Sequence, residues 1–309
     1  WCLSARHPGM ANQAIGLAEA LGIPFDMHYT RQNVPWAFLP PTLWPHKLAM
    51  KEDGSHFTPP WPDVVISSGR RSVAPAMAIR KASGDRTFTI HIQDPQTNPQ
   101  HFDLIIVPEH DRLRGENVWV TQGSLHRVSA TKLAQTLPDA RFASLSHPLV
   151  AVLVGGSTKR QNVPAASFID FAKMLRSMAA QNSASLAITP SRRTGKANEE
   201  ILRNTLAGTS SWIWDGAGEN PYFAMLAAAD AIIVTGDSVS MVTEATATGK
   251  PVCIHEFYKD KKFQPLFESL YRDGIARPFT GSLEQWRYTP RNDTQEVAAK
   301  LKPLLLARK

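Results

Sequence analysis

This 309-residue sequence lacks long apolar runs, metal-binding cysteine motifs and the serine motif of common hydrolases. No run approaches the roughly 18 apolar residues that a transmembrane helix requires. Only two cysteines occur, Cys2 and Cys253, and each is expected in a buried strand, without metal-binding spacing. Free buried thiols are typical of a reducing compartment, which predicts a cytoplasmic protein. No serine lies in a G-x-S-x-G motif, so the sequence does not contain the usual nucleophile motif of a hydrolase triad.

The glycine motifs of nucleotide-binding proteins are incomplete as well. The first turn, around Gly9, lacks the remainder of the G-x-G-x-x-G pattern of dinucleotide sites. The turn that begins with Gly155 and reaches Lys159 lacks the earlier glycine of a P-loop. A dinucleotide cofactor and a Walker-type site are therefore not expected. Residues 1–5 are too short for the apolar core of a secretory signal and predict a first strand.

Basic residues exceed acidic ones, and the formal net charge is +7. Such a balance favours anionic ligands or anionic surfaces. Long Lys/Arg runs and the aromatic signature of RNA-binding domains are both absent, so we expect no nucleic-acid partner. Nucleotide phosphates and an anionic membrane surface are both compatible with this charge.

Short apolar runs rich in β-branched residues alternate with amphipathic helical segments along both halves of the chain. The predicted strands are 2–5, 25–29, 64–67, 87–92, 104–107 and 118–121 in the first half, and 149–154, 185–189, 212–214, 231–235 and 251–255 in the second. This alternation predicts an α/β fold of two Rossmann-like domains, each with a parallel sheet and right-handed crossovers. The predicted domains are 1–142 and 143–288, separated by a polar, proline-interrupted segment and followed by a C-terminal helix in 289–309.

A proline-rich segment interrupts the first half. Residues 31–62 contain seven prolines and three tryptophans, which leaves little room for a regular helix or a central strand. Trp36 and Trp44, with Lys47 and Lys51 nearby, could dip into a membrane interface. Packing of these aromatic side chains on the domain surface is the simpler interpretation.

The stretch 230–257 contains a predicted strand, a small-residue turn, a predicted helix at 239–248 and a second strand. Unpaired backbone N–H groups at the N-terminus of a helix bind anions such as phosphate. Glu244 lies seven residues after Asp237, which would bring both carboxylates onto nearly the same helix face. A carboxylate there could accept hydrogen bonds from sugar hydroxyls, as a nucleotide-sugar site requires. An ordinary βαβ unit with a solvated Glu244 is the alternative.

Ligands of open parallel sheets bind beyond the carboxyl ends of the strands. In the second half, the turns at these positions are rich in glycine, hydroxyl and basic side chains, a composition suited to phosphate. The candidate nucleotide-sugar residues are Gly156, Ser157, Lys159, Arg192, Trp214, Asn220, Gly236, Asp237, Ser238, Ser240 and Glu244. Each basic residue taken singly could be an ordinary surface charge.

The corresponding turns of the first half contain candidates for acid–base chemistry. His7 and Asp94 are the groups best suited there to deprotonate a hydroxyl. His7 could equally be a helix-entry residue and Asp94 a turn former. The other candidates in these turns are Gly9, Asn12, Ser68, Gly69 and Arg70. The nearby residues His91, His101 and Asp103 form no convincing ligand set, so no metal is expected.

Five stretches resemble the mitochondrial-fission Elm-type family, some of whose bacterial members carry an epimerase label in their names. They are 12–22, 60–70, 93–95, 155–157 and 235–245, and they follow the expected order across most of the chain. The architecture also resembles that of GT-B glycosyltransferases, in which two Rossmann-like domains face across a cleft. The resemblance implies that the C-terminal domain holds a nucleotide sugar, with Glu244 on the ribose. It also implies an N-terminal acceptor domain with a base at His7, and a final helix that crosses back onto that domain.

These observations predict a metal-independent glycosyltransferase that binds a nucleotide-diphosphate sugar in the interdomain cleft and uses no separate cofactor. Arg192, Lys159 and the N–H groups near Ser238 would stabilise the departing diphosphate in place of a metal. The expected acceptor is a lipid-linked or envelope glycan, with peripheral membrane contact at the inner face.

Two alternative functions stay open. One is a nucleotide-sugar epimerase of the same architecture, which would need carboxylates on both sides of the sugar. The other is a non-enzymatic membrane-division or scaffold protein, as the family name implies for the plant relatives. In that case the segment with Trp36 and Trp44 would matter more than the cleft.

Overall fold

The computed structural model describes residues 1–31, 51–142, 144–158 and 161–308. They form two compact units: unit 1 contains Trp1–Arg127 and Asn292–Lys309, and unit 2 contains Val128–Arg291. Each unit is built on a six-stranded sheet with parallel strand pairs. Trp36 and Trp44, expected either to pack on the domain surface or to enter a membrane interface, lie outside the described residues, as does Lys159, predicted to bind phosphate.

Unit 1 begins with a run of strands and helices whose strand residues are mostly buried, as in parallel sheets covered on both faces. The elements are β1 (Cys2–Ser4), α1 (Pro8–Leu21), β2 (Met27–Tyr29), β3 (Val64–Ser68), α2 (Val73–Ala82), β4 (Phe88–Ile92), β5 (Leu104–Pro108) and β6 (Val118–Thr121). The strands are ordered β2-β1-β3-β4-β5-β6. Pro8 favours the start of α1 because its fixed φ suits a first helical position, and Gly22 ends the helix at a φ of 69°.

Unit 2 repeats the alternation of strand and helix. Its elements are α3 (Ala130–Ala134), β7 (Leu149–Val154), α4 (Ala165–Asn182), β8 (Ser185–Pro190), α5 (Lys196–Thr205), β9 (Ser211–Ile213), α6 (Tyr222–Ala228), β10 (Ala231–Thr235), α7 (Val239–Thr246), β11 (Val252–His255), α8 (Gln264–Arg272) and β12 (Ala276–Pro278). The strands are ordered β12-β11-β10-β7-β8-β9. Three of these elements, α3, α8 and β12, are not among those predicted from the sequence.

The last helix, α9 (Asp293–Leu306), belongs to unit 1. It packs against α1 and buries Val297, Ala298 and Leu301 in the core below that helix. The Thr294 hydroxyl accepts a hydrogen bond from His126 N at 2.9 Å and donates one to His126 O at 3.0 Å. α9 is therefore part of the helical layer on one face of the first sheet.

Helix α4 is the longest helix of the described residues, with 18 residues, and only one of its faces is buried. Phe168, Phe171 and Leu175 lie on that face and pack on the second sheet. Among the described residues, no helix combines the length and the apolar character needed to cross a bilayer.

Each sheet contains one topological switch point. It is the place between two adjacent strands from which the chain continues toward opposite edges of the sheet. It lies between β1 and β3 in unit 1 and between β7 and β10 in unit 2. In open parallel sheets, ligands bind outside the carboxyl ends of the strands at such points. The turns that follow these four strands therefore define the position of a candidate site in each unit.

Candidate functional site

In unit 2, a buried carboxylate connects the turns that follow β7 and β10. Asp237 follows β10, and its Oδ1 accepts a hydrogen bond from the Thr235 hydroxyl at 2.6 Å. Its Oδ2 accepts one from Gly156 N at 3.0 Å and lies 2.7 Å from Nη2 of Arg193. Burial raises the pKa of Asp237, and the charge of Arg193 opposes that rise. The carboxylate is thus used to hold the turns together.

The two glycines after β7 are required by this close packing. A Cβ on Gly155 would overlap the Asp237 carboxylate, and a Cβ on Gly156 would overlap the backbone carbonyl of Arg193. The Thr194 hydroxyl lies 2.6 Å from Gly155 O and donates a hydrogen bond to it, so the turn after β8 joins the same cluster. Three neighbouring turns at the carboxyl edge of the sheet therefore form one interlocked surface.

The predicted helix face shared by Asp237 and Glu244 does not exist, because α7 begins only at Val239. Ser238 is the N-cap, with an extended backbone and no side-chain capping bond. The first N–H groups of a helix have no intrahelical partner, so this N-terminus can bind an anion. Ser240 is partly exposed in this first turn. The N-terminus of α7 lies at the switch point, and the Arg193 guanidinium is close to it, since its Nη1 donates a hydrogen bond to Asp237 O.

Glu244 is buried on α7, not solvated as the alternative interpretation required. Its Oε2 accepts a 2.6 Å hydrogen bond from the Tyr222 hydroxyl, at the start of α6. Burial raises the pKa of Glu244 from 4.5 to about 7, and the Tyr222 bond opposes that rise. The pKa of Tyr222 is raised well above its ordinary value by burial and by the neighbouring carboxylate. A carboxylate with such a pKa can exchange its proton near neutral pH.

The remaining unit 2 candidates are more dispersed. The Ser157 hydroxyl donates to Asn162 Oδ1 at 2.9 Å and accepts from Val163 N at 3.0 Å, which closes its own turn. Trp214 Nε1 donates to Ala217 O at 3.1 Å in the turn after β9. Gly236 has little free space, because a Cβ there would lie 3.1 Å from the Phe267 ring. Two further candidates are exposed in their turns, Arg192 and Asn220.

Three contacting residues were not among the sequence candidates. Arg193 rather than its neighbour Arg192 pairs with Asp237, and sequence spacing alone does not distinguish two adjacent arginines in a turn. Tyr222 lies 22 positions before its partner Glu244 and on a different helix. The phenol of Tyr258, after β11, has a pKa raised by burial, while a hydrogen bond to Thr158 opposes the rise. No local sequence pattern predicts these contacts.

In unit 1, the turn after β1 contacts the turn after β3. His7 is the exposed N-cap of α1, and its ring lies 3.8 Å from the position that a Cβ on Gly9 would occupy. Met10 packs over Gly69, leaving no room for a Cβ, and Gly69 has a φ of 78°. The predicted residues His7, Gly9 and Gly69 therefore lie together at the switch point of unit 1.

The other unit 1 candidates differ in exposure. Asp94 is exposed, and its Oδ1 accepts a 2.8 Å hydrogen bond from Gln96 N, as a turn-forming aspartate does. Ser68 is 1% exposed, and its hydroxyl has no hydrogen-bond partner within the part of the chain that the structure describes. Asn12 is partly exposed on α1, whereas Arg70 is exposed.

The neighbouring histidine, His91, is a core residue. Its Nδ1 lies 2.8 Å from the Ser67 hydroxyl, its ring packs near Phe102, and burial lowers its pKa to about 3. In the four described ranges, no group of three His, Cys, Asp or Glu side chains is arranged to hold a metal ion.

Comparison with known proteins identifies the family. The family described as Mitochondrial fission ELM1 matches residues 8–305. The chain belongs to the mitochondrial fission ELM1 family. It is 34% identical over 284 residues to the Mitochondrial fission protein ELM1 of Arabidopsis thaliana, covering 80% of this chain and 65% of the plant protein. It is 28% identical over 353 residues to the Uncharacterized protein RP120 of Rickettsia prowazekii (strain Madrid E), covering 98% and 97% of the two chains.

Solved structures resemble this ELM1-family chain in fold. The UDP-GlcNAc 2-epimerase of Methanocaldococcus jannaschii in complex with UDP-GlcNAc and UDP has a TM-score of 0.56 at 15% identity, covering 99% of this chain and 98% of that one. The glycosyltransferase SnogD of Streptomyces nogalater has a TM-score of 0.53 at 16% identity, covering 99% and 94%. Likeness at such low identity establishes fold alone. The predicted family and the predicted GT-B-like fold of two parallel α/β units are both confirmed.

Proposed function

We propose that this ELM1-family protein binds a nucleotide-diphosphate sugar at the carboxyl edge of the unit 2 sheet and transfers the sugar to a hydroxyl acceptor. The observation that supports this most is the position of Glu244. Its carboxylate is buried on α7, less than two turns after a helix N-terminus whose N-cap residue, Ser238, makes no side-chain capping bond, at the switch point of the sheet. The N-terminus would bind phosphate while Glu244 accepts a hydrogen bond from the ribose.

The diphosphate would be stabilised without a metal. Arg193 is partly exposed beside Asp237 and has a guanidinium suited to two parallel bonds with phosphate oxygens. Arg192 lies in the same turn, and Lys159 stays a candidate from the sequence. Together with the N–H groups of α7, these cations would balance the charge that develops on the departing nucleotide diphosphate.

Unit 1 would bind the acceptor. His7 is the better candidate for the general base, because it is exposed at the switch point of its sheet. The carboxylate of Asp94 accepts a hydrogen bond from Gln96 N, as a turn-forming aspartate does. The proposed acceptor class is a lipid-linked or envelope glycan, reached by peripheral contact with the inner face of a membrane.

The test is a donor-consumption assay. Labelled UDP-, GDP-, ADP-, CDP- and dTDP-sugars are incubated with the protein and a membrane lipid extract, with EDTA present. We expect one donor to transfer its label to the lipid fraction, with at least a tenfold loss in Glu244→Gln and in His7→Ala. Thr209→Ala, which removes a hydroxyl that donates to Leu206 O and to the Ser211 hydroxyl before β9, is the matched control and should keep full activity.

Two outcomes of this assay contradict the proposal. A sugar epimer formed without any acceptor, seen by NMR, indicates the epimerase instead. Full transfer activity in Glu244→Gln shows that the nucleotide is bound elsewhere.

A further inference from the structure

A cavity of about 970 Å³ lies at the amino edge of the unit 1 sheet, where its strands begin. Its walls include Leu21 at the end of α1, Leu305 near the end of α9, and the first residues of β3 and β4, Val64 and Phe88. The volume is within the roughly 300–1,000 Å³ that is usual for small-molecule sites. Because α1 runs from His7 to this cavity, the cavity lies at the opposite edge of the sheet from the candidate acceptor site.

Most of the residues that line the cavity are apolar. Cys2 and Ile66 form part of its deep wall and are 0% and 2% exposed, whereas Phe25 and Leu306 are 37% and 61% exposed at its mouth. The charged residues of the lining are all exposed, so they lie at the mouth and the interior is apolar. A concave apolar surface with exposed apolar side chains around it is typical of a site for an apolar group. The interior therefore suits a hydrocarbon chain.

The mouth contains charges of both signs on different sides. The guanidinium of Arg308 lies 4.9 Å from the centre of the Phe88 ring in β4, and Lys302 is in the final turns of α9. Asp26 and Asp63 directly precede β2 and β3. Since the strand order is β2-β1-β3-β4, the two carboxylates lie toward β2 and β3, and the Arg308 guanidinium lies toward β4.

The other two charged residues of the lining have partners in the protein. The Asp85 carboxylate lies 3.1 Å from Nε of Arg80 and forms an ion pair with it. Arg86 Nε donates a hydrogen bond to Ser83 O at 2.9 Å. The charges that can select a ligand are therefore the two cations of the C-terminal segment and the two carboxylates before β2 and β3.

We propose that this cavity binds one acyl chain of a zwitterionic phospholipid. Lys302 and Arg308 contact the phosphate of the lipid, and Asp26 and Asp63 contact its ammonium group. Burial of the chain supplies most of the affinity, and the charges at the mouth select the head group. A purely anionic head group would bring no cation to the two carboxylates. The inference is independent of the proposed function, because this cavity binds no nucleotide and lies at the other edge of the sheet.

The experiment is equilibrium dialysis of the full chain against radiolabelled single-chain lipids below their micelle concentrations. The lipids are lysophosphatidylethanolamine, lysophosphatidylglycerol and an alkyl maltoside of equal chain length. We expect one saturable site per chain. The zwitterionic lipid should bind at least about threefold more tightly than the anionic one and about tenfold more tightly than the maltoside, as exposed ion pairs predict.

A variant that fills the cavity tests where the chain is bound. Leu305→Trp places a larger side chain in the wall, so it should weaken the binding of all three lipids at least about tenfold. Leu304→Trp is the matched control, because Leu304 is the neighbouring residue on α9, is 49% exposed and does not line the cavity. It should bind within about twofold of the wild type. Ile23→Trp fills the cavity from another wall and replaces Leu305→Trp if circular dichroism shows that variant to be unfolded.

Charge variants test the head group. Asp63→Asn should reduce the preference for the zwitterionic over the anionic lipid, because it removes a partner of the ammonium group. Lys302→Gln should weaken both phospholipids about threefold and leave the maltoside unchanged. Lys300→Gln is the matched control, since Lys300 is exposed on the same helix but does not line the cavity.

Three outcomes overturn the inference. The first is the absence of saturable binding by all three lipids. The second is an equal effect of the cavity-filling variant and of Leu304→Trp, which would show that the chain is bound elsewhere. The third is equal affinity of the wild type for the zwitterionic and the anionic lipid. Each of these outcomes leaves the proposed nucleotide-sugar site standing, since the assay contains no nucleotide.

Discussion

Two buried carboxylates lie close to one helix N-terminus in unit 2, and their different partners give them different roles. Asp237 is paired with Arg193 and with the backbone of Gly156, so it stabilises the turns. Among the described residues, Glu244 has one neutral hydrogen-bond partner, Tyr222, so the carboxylate keeps lone pairs that can accept bonds from a ligand. Burial raises the pKa of both groups, but only Asp237 has a cation beside it. The residue suited to ligand binding is therefore Glu244.

The raised pKa of Glu244 predicts a pH-dependent stability. Its pKa is about 7 in the folded state, above the ordinary 4.5, so the folded state holds this proton more tightly. The resulting stabilisation is complete below about pH 4.5 and is lost as pH rises through about 7. Between about pH 5 and pH 8.5, wild type should lose about 2–3 kcal/mol of unfolding free energy relative to Glu244→Gln.

Urea unfolding of both proteins at the two pH values measures this difference. Gln is the suitable substitution because it has the same shape, can still accept the Tyr222 bond and does not titrate. A difference between the two proteins that stays constant with pH would contradict the account of a buried, titrating Glu244.

Some residues of the candidate site could be predicted from the sequence, and others could not. Gly156 and Ser238 follow from their positions just after predicted strands, and Glu244 lies in the helix predicted at 239–248; both are local patterns. Arg193 contacts a residue 44 positions away, and Tyr222 contacts one 22 positions away. Such contacts depend on how separate turns and helices pack, and no local pattern contains that information.

At the scale of elements, the strands that are buried on both faces were predictable and the short or edge elements were not. β7 and β10 are continuous apolar runs that form central strands. β12 has three residues, lies at the sheet edge and contains Pro278, all of which weaken a strand signal. α3 has five residues, too few for a helical period to appear, and α8 buries only Phe267 and Leu270.

The last helix provides a prediction at this scale, because α9 contributes to the core of unit 1. Leu301 is fully buried, so Leu301→Ala should lower the unfolding free energy by about 2–5 kcal/mol. Leu304 lies on the same helix but is 49% exposed, so Leu304→Ala should change it by less than about 1 kcal/mol. Chemical unfolding of the two variants measures both values. Equal effects would contradict the assignment of α9 to this core.

For the whole molecule, the alternation of strand and helix was enough to predict two parallel α/β units. Each strand or helix pattern depends on residues that are close together in the sequence. The order of the strands was not predictable in this way, because each pairing joins distant segments. β7 pairs with β10, about 80 residues later, and that pairing creates the unit 2 switch point. The candidate site thus depends on a non-local feature that the structure supplies.

The most direct test of the central claim, nucleotide-sugar binding through Glu244, is thermal unfolding with a panel of nucleotides and nucleotide sugars. A ligand that binds only the folded state at a hundredfold excess over its Kd adds about 2.7 kcal/mol of stability. We predict that at least one nucleotide sugar raises the Tm of the wild type and of the control Leu304→Ala, and that Glu244→Ala abolishes the shift. No shift across the panel with the wild type, or an equal shift in Glu244→Ala, would contradict the claim.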